Sequence, residues 1–96
     1  MSATITIARL SGEFDPLILD VAVRDDDSET RHRVTLPLRE AQRLGAGRPP
    51  EALVEAAFRF LLDREPKESI LKRFDFAVIA SYFPDFEARL PAYLDA

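Results

Sequence analysis

The hydrophobic period of this chain changes once, at Pro37, and that change limits the folds open to it. Before Pro37 apolar residues recur at every second position; after it they recur at every third or fourth. A chain that is strand-like in one half and helical in the other builds an α+β domain, with a sheet as one layer and helices as the other. Its 96 residues are material for one domain. The expected organisation is a single domain over 1–96, with the sheet drawn from 2–36 and the helical layer from 38–95.

In the first half, Ile5 and Ile7 alternate with Thr4 and Thr6. Leu17, Leu19, Val21 and Val23 alternate with Ile18, Asp20, Ala22 and Arg24. Val34 and Leu36 share one face, with Arg31, Arg33 and Thr35 on the other. Three such runs joined by short polar segments predict a three-stranded antiparallel meander. Ser11 to Pro16 reads as its first turn, with Gly12 available for a positive φ. The second and third strands must show their apolar sets to the same core, which fixes the parity of their pairing but not the register. A two-residue Asp27-Ser28 turn would set Arg24 opposite Arg31. A four-residue loop from Asp27 to Thr30 pairs Asp26 with Arg31 and Asp25 with His32. Opposite charges across strands help by roughly 0.2–1 kcal/mol, and Asp-Ser is a poor stand-in for Asn-Gly in a tight turn. The loop from Asp27 to Thr30 is therefore expected, although it sets Arg24 opposite Arg33.

Prolines punctuate the second half into three to five helices. Leu38 to Leu44 is entered at Pro37 and left at Gly45. The longest helix runs from about Pro50 to Arg64. Its apolar arc (Leu53, Val54, Ala57, Phe58, Leu61, Leu62, with Phe60 alongside) spans more than half the circumference, so it is expected to be buried between two neighbours. Glu55, Arg59 and Asp63 form its solvent stripe. Lys67 to Phe74 and Phe76 to Phe83 read as two further helices around an Asp75 cap, with Pro84 as a stop. A last piece starts at Phe86 and is interrupted by Pro91.

Acidic residues outnumber basic ones, 17 to 13, for a net charge of −4. That balance lacks the basic footprint of a phosphate-backbone binder. Lysine occurs only at Lys67 and Lys72; the arginine skew, with many alanines, suits a GC-rich bacterial genome. No apolar run approaches 18 residues, and MSATITIARL has no basic stretch ahead of a long apolar one. No membrane association and a cytoplasmic location are expected.

Chemistry-bearing residues are few. Cysteine is absent and His32 is the only imidazole, which removes disulfides, cysteine-based zinc sites and most acid–base schemes. His32 is expected to be half-exposed and paired with Asp25. Asp25, Asp26, Asp27 and Glu29 lack the alternation and the central glycine of a calcium loop. Gly45-Ala46-Gly47-Arg48 resembles part of a phosphate loop, but Pro49 and Pro50 remove two of the N–H groups such a loop needs. Ser2, Ser11, Ser28, Ser69 and Ser81 have no nucleophile-elbow glycines around them. No catalytic residue, cofactor or metal site is expected, and an enzyme is disfavoured.

Two features point to partners instead. The expected helical hairpin over 67–83 has the outline of a helix-turn-helix, but its second helix, Phe76 to Phe83, carries no charge for base edges or phosphates. Eight of the nine aromatics lie beyond residue 57. One sheet and one long helix leave some of them over, and Phe76, Tyr82, Phe86 and Tyr93 are the candidates for a protein-binding or self-association surface.

The segment Asp63-Arg64-Glu65-Pro66-Lys67-Glu68-Ser69-Ile70-Leu71-Lys72-Arg73-Phe74-Asp75, followed by Tyr82-Phe83-Pro84-Asp85-Phe86-Glu87, resembles one found in a family of short uncharacterised bacterial proteins. The preceding strand hairpin and long helix fit that likeness as well. The resemblance implies a bacterial single-domain protein and brings no activity with it. The leading expectation is thus a non-enzymatic module that binds a protein partner or itself. The alternative is a nucleic-acid-associated regulatory protein using 67–83.

Overall fold

The computed structural model describes residues 3–11 and 15–95. It is an α+β fold in which three strands, β1 (Thr4–Ser11), β2 (Leu17–Arg24) and β3 (Glu29–Leu36), form the antiparallel meander expected from the period-two runs. Helices α1 (Leu38–Gly45), α2 (Pro50–Leu62), α3 (Val78–Tyr82) and α4 (Phe86–Leu94) follow. The sheet is larger than expected. A fourth strand, β4 (Arg73–Asp75), adds to the outer edge of β3, in parallel, giving the order β1-β2-β3-β4. The turn expected around Gly12 falls outside the described residues.

Leu17, Leu19, Val21 and Val23 of β2 and Val34 and Leu36 of β3 are all buried, so one face of the sheet is apolar and covered by helices. The opposite face carries Thr4, Thr6, Ala22 and the ion pair Arg33–Asp20 at 3.1 Å. The parity expected for β2 and β3 holds, but the register does not. Leu17 pairs with Leu36 and Arg24 with Glu29. The connecting loop is four residues long, as expected, but runs from Asp25 to Ser28, two residues earlier. Asp25 is the reason. Its Oδ1 accepts the Asp27 and Ser28 backbone N–H groups at 2.9 and 3.0 Å, and its own N–H donates to the Ser28 carbonyl at 3.1 Å. An aspartate that organises its own turn outweighs the cross-strand pairs of Asp25 and Asp26 that were expected. This register also sets Asp20, not Arg24, opposite Arg33.

The largest departure is residues 67–74, expected as a helix. Only a 3₁₀ turn at Lys67–Ser69 forms; Ile70 is extended (φ −74°, ψ 133°) and the chain proceeds to β4. A three-stranded sheet leaves the outer backbone groups of β3 without partners, at a cost for each one buried. Arg33 N–H donates to the Lys72 carbonyl at 2.7 Å and Phe76 N–H to the Thr35 carbonyl at 2.8 Å, which satisfies that edge. The helical hairpin over 67–83 on which a nucleic-acid reading would rest therefore does not form. Asp75 still caps, but it caps a turn: its Oδ1 accepts the Ala77 N–H at 2.9 Å, ahead of α3.

α2 behaves as its periodicity requires. Leu53, Val54, Ala56, Ala57, Phe58, Phe60 and Leu61 are buried, and Arg59 donates to Glu55 at 2.9 Å on the solvent side. Arg9 on β1 grips Glu51 at the start of α2 through two 3.0 Å hydrogen bonds. α1 continues through Gly45, one residue further than expected. Ala46 (φ 52°) and Gly47 (φ 84°) take the left-handed conformations that end it. Its first N–H, from Leu38, is capped from afar by Asp15 Oδ1 at 2.8 Å. Pro91 sits inside α4 without interrupting it. Pro91 and Glu87, whose carbonyl loses its N–H partner, both lie on the exposed side, where water can take its place. Among the described residues no helix is long and apolar enough to cross a membrane.

Candidate docking cleft

The four aromatics proposed as an interface are separated by the fold. Phe76 and Phe86 are each only 1% exposed and belong to the core, with ring centroids 5.6 Å apart. This corrects their assignment to a surface. Tyr93 is half-buried, packs edge-on against Phe60 at 5.7 Å, and donates its hydroxyl to Asp63 at 2.5 Å. That hydrogen bond to a carboxylate raises the phenol above its ordinary pKa. Tyr93 thus joins α4 to the end of α2. Only Tyr82, 67% exposed, stands at the surface.

Around Tyr82 lies a cleft of about 350 Å³. Its floor is buried Leu61, Ile70 and Ile79; Phe74 and Phe83 form its half-buried walls. Leu71, 46% exposed, faces the mouth with Tyr82. Each side chain arrives for a local reason. Ile70 leaves the 3₁₀ turn in extended conformation and is buried, while the next residue, Leu71, is exposed. α3 has only five residues, enough to bury Ile79 while projecting Tyr82 three residues on. Sequence reasoning missed Leu71 because it placed 67–74 in a helix. The one signal was short: Arg73, Phe74, Asp75 and Phe76 alternate polar and apolar, a strand's period over four residues only.

His32, Asp25 and Lys67 are committed to structural contacts. His32 is 3% exposed, not half-exposed, and does not pair with Asp25. Its Nδ1 lies 2.8 Å from the Leu71 carbonyl, and its Nε2 lies 2.8 Å from Thr30 Oγ1. A carbonyl only accepts, so Nδ1 carries the proton in that bond. With both ring nitrogens engaged, His32 has no free atom for a substrate.

Asp25 turns instead to Lys67, which is 4% exposed and donates to Asp25 Oδ2 and Glu68 Oε2, each at 2.6 Å. The Lys67 hydrogen bond, helped by the two loop N–H groups, pulls the Asp25 carboxyl from 3.8 down to about 2. Glu68 is lowered too, chiefly by the same ammonium. Lys67 is raised by Asp25 first and Glu68 second. A lysine held in its charged form is a poor nucleophile, since amine catalysis needs the pKa depressed. A cavity of about 450 Å³ opens beside this cluster. Among the described residues no three His, Asp or Glu side chains are grouped to hold a metal ion.

The lowered carboxyls set a pH dependence. An acid whose pKa falls on folding stabilises the native state above its unfolded pKa, and that contribution disappears as pH drops through the folded value. Stability is therefore expected to fall between about pH 4 and pH 2, with Asp25 and Glu68 contributing through Lys67. Urea midpoints measured across that range in the wild type and in Lys67→Met check this. The variant should show the shallower decline; equal slopes would remove Lys67 from the account.

No protein-family model, no curated protein and no solved structure matches this chain. What the cleft can do is therefore argued from its geometry. It offers mainly apolar contact and an aromatic at the mouth, with Glu65 and Ser69 as the polar members of its lining.

Proposed function

We propose that this protein is a non-enzymatic interaction module that receives an apolar side chain of a protein partner in the cleft between β4 and α3. The observation that carries this reading is the pairing of exposed Leu71 and Tyr82 over a buried apolar floor. Exposed large apolar residues are common singly. Two of them at the mouth of a preformed apolar cleft are the pattern of a docking site. A tyrosine at the rim adds rigid contact area with a polar tip, as interface aromatics do. The engagement of His32 and Lys67 in internal contacts supports the non-enzymatic half of the reading. The resemblance of 63–87 to short bacterial proteins, and a cytoplasmic setting, belong to the same proposal.

The test places a photo-activated cross-linking residue at position 82 in cells, with position 59 on the far side of α2 as control. One discrete cross-linked product from position 82, absent from 59 and lost on Leu71→Asp, is the expected result. Because Leu71 is exposed, that substitution should leave the unfolding midpoint nearly unchanged. Identical products from both positions would refute the reading.

A further inference from the structure

A second surface lies at the opposite edge of the sheet, and it goes beyond the cleft reading. Among the described residues β1 pairs only with β2, so the outer backbone groups of an eight-residue strand face away from the sheet. Exposed edges are normally guarded by lysine, proline, inward charges or short length. β4 at the other edge fits that rule, with three residues flanked by the charges of Arg73 and Asp75. β1 does not. From Thr4 to Ala8 it has no charge, no proline and no glycine, and is rich in β-branched residues. Its one arginine, Arg9, is tied to Glu51 of α2. Its irregularity, between Arg9 and Ser11, lies beyond this stretch.

The stretch is also complementary to itself. When it pairs antiparallel with a copy about a two-fold axis at Thr6, Thr6 opposes Thr6, Ile5 opposes Ile7 and Thr4 opposes Ala8. Every opposed pair is small or apolar, and no like charges meet. Ile5 and Ile7 are only half-buried, at the margin of the core, while Thr4 and Thr6 are exposed on the opposite face. The two-fold pairing extends the core margin of one copy onto that of the other. We propose that β1 pairs with β1 of a second copy of this chain, joining two four-stranded sheets into one of eight strands. A two-fold contact of this kind uses the same patch on both subunits. It is a small interface, near or below about 1,200 Å², so association belongs at micromolar protein concentrations.

Sedimentation from 1 to 500 µM tests it. The wild type should rise to twice the mass of one chain across that range. Thr6→Lys and Thr6→Glu should each stay at the mass of one chain, because each sets like charges opposite one another. An equimolar mixture of the two should return to twice the mass. Circular dichroism confirms that both variants fold. Amide exchange in β1 of the wild type should also slow as concentration rises, which needs no variant. A wild type of single mass throughout, a Thr6→Lys variant that still doubles, or a mixture that stays single overturns the proposal. Leu71→Asp leaves the mass unchanged in every case, which keeps this outcome separate from that of the cleft.

Discussion

Replacing Phe58 by alanine lowers the stability of this domain by about 3–5 kcal/mol. The side chain is 0% exposed and sits mid-arc on α2 between Val54 and Leu62. Its ring lies 5.4 Å from that of His32 on β3 and 6.1 Å from that of Phe74 on β4. It therefore fixes the helical layer to the part of the sheet that the sequence pattern shows least clearly. Truncation removes the transfer contribution of the ring and leaves a cavity that three separate elements would have to move to fill. A domain of this size commonly has about 5–15 kcal/mol in total, so the variant approaches the threshold of folding. Urea unfolding measures the effect. Arg59→Ala, one residue on and exposed, should stay within about 0.5 kcal/mol of wild type. Equal midpoints for Phe58→Ala and wild type would mean that the face of α2 has been assigned wrongly.

The sequence made the meander and α2 legible because each rests on many residues repeating one period. In β2 the pattern spans eight residues and alternates buried with less buried along its length. In α2 the burial arc and the Glu55–Arg59 pair follow from spacing alone. What was hidden rests on single residues and not on a repeated period. The β2–β3 register depends on Asp25 building its own turn, a local competition that cross-strand charge counting omits. β4 has three residues, too few for a period to outweigh the helix-forming run around it. Its formation is decided by β3, more than thirty residues earlier, whose edge it completes.

The candidate site was harder to see for the same reason. Composition marked an excess of aromatics but could not sort them. Phe60 gathers Phe83, Phe86 and Tyr93 around itself with centroids 5.0–5.8 Å away. That cluster takes Phe86 into the core and packs Phe83 and Tyr93 against its margin. The residue that completes the surface cleft is Leu71, an aliphatic with no distinguishing neighbours in sequence. Lys67 was equally silent. A lysine between Pro66 and Glu68 reads as solvated surface, yet the Asp25 turn folds over it and buries it.

His32 joins these non-local features, and its removal is expected to release them together. His32→Ala should cost about 3–5 kcal/mol, combining a core cavity with the loss of two hydrogen bonds. Its Nδ1–H is the partner of the Leu71 carbonyl, directly before the Lys72 carbonyl that accepts from Arg33. Its ring faces Phe58. The imidazole thus holds the segment between the 3₁₀ turn and β4 against β3, and with it the wall and mouth of the cleft. His32→Phe separates the two contributions. It retains ring volume but leaves the Leu71 carbonyl without a donor, so it should cost about 1–3 kcal/mol. Hydrogen exchange distinguishes a local from a general effect. In His32→Phe the amides of Arg33 and Phe76, which bond across β3 and β4, should exchange much faster, while those in the centre of α2 change little. Uniform acceleration across the sheet and α2 would show that His32 acts as ordinary core and has no special hold on β4.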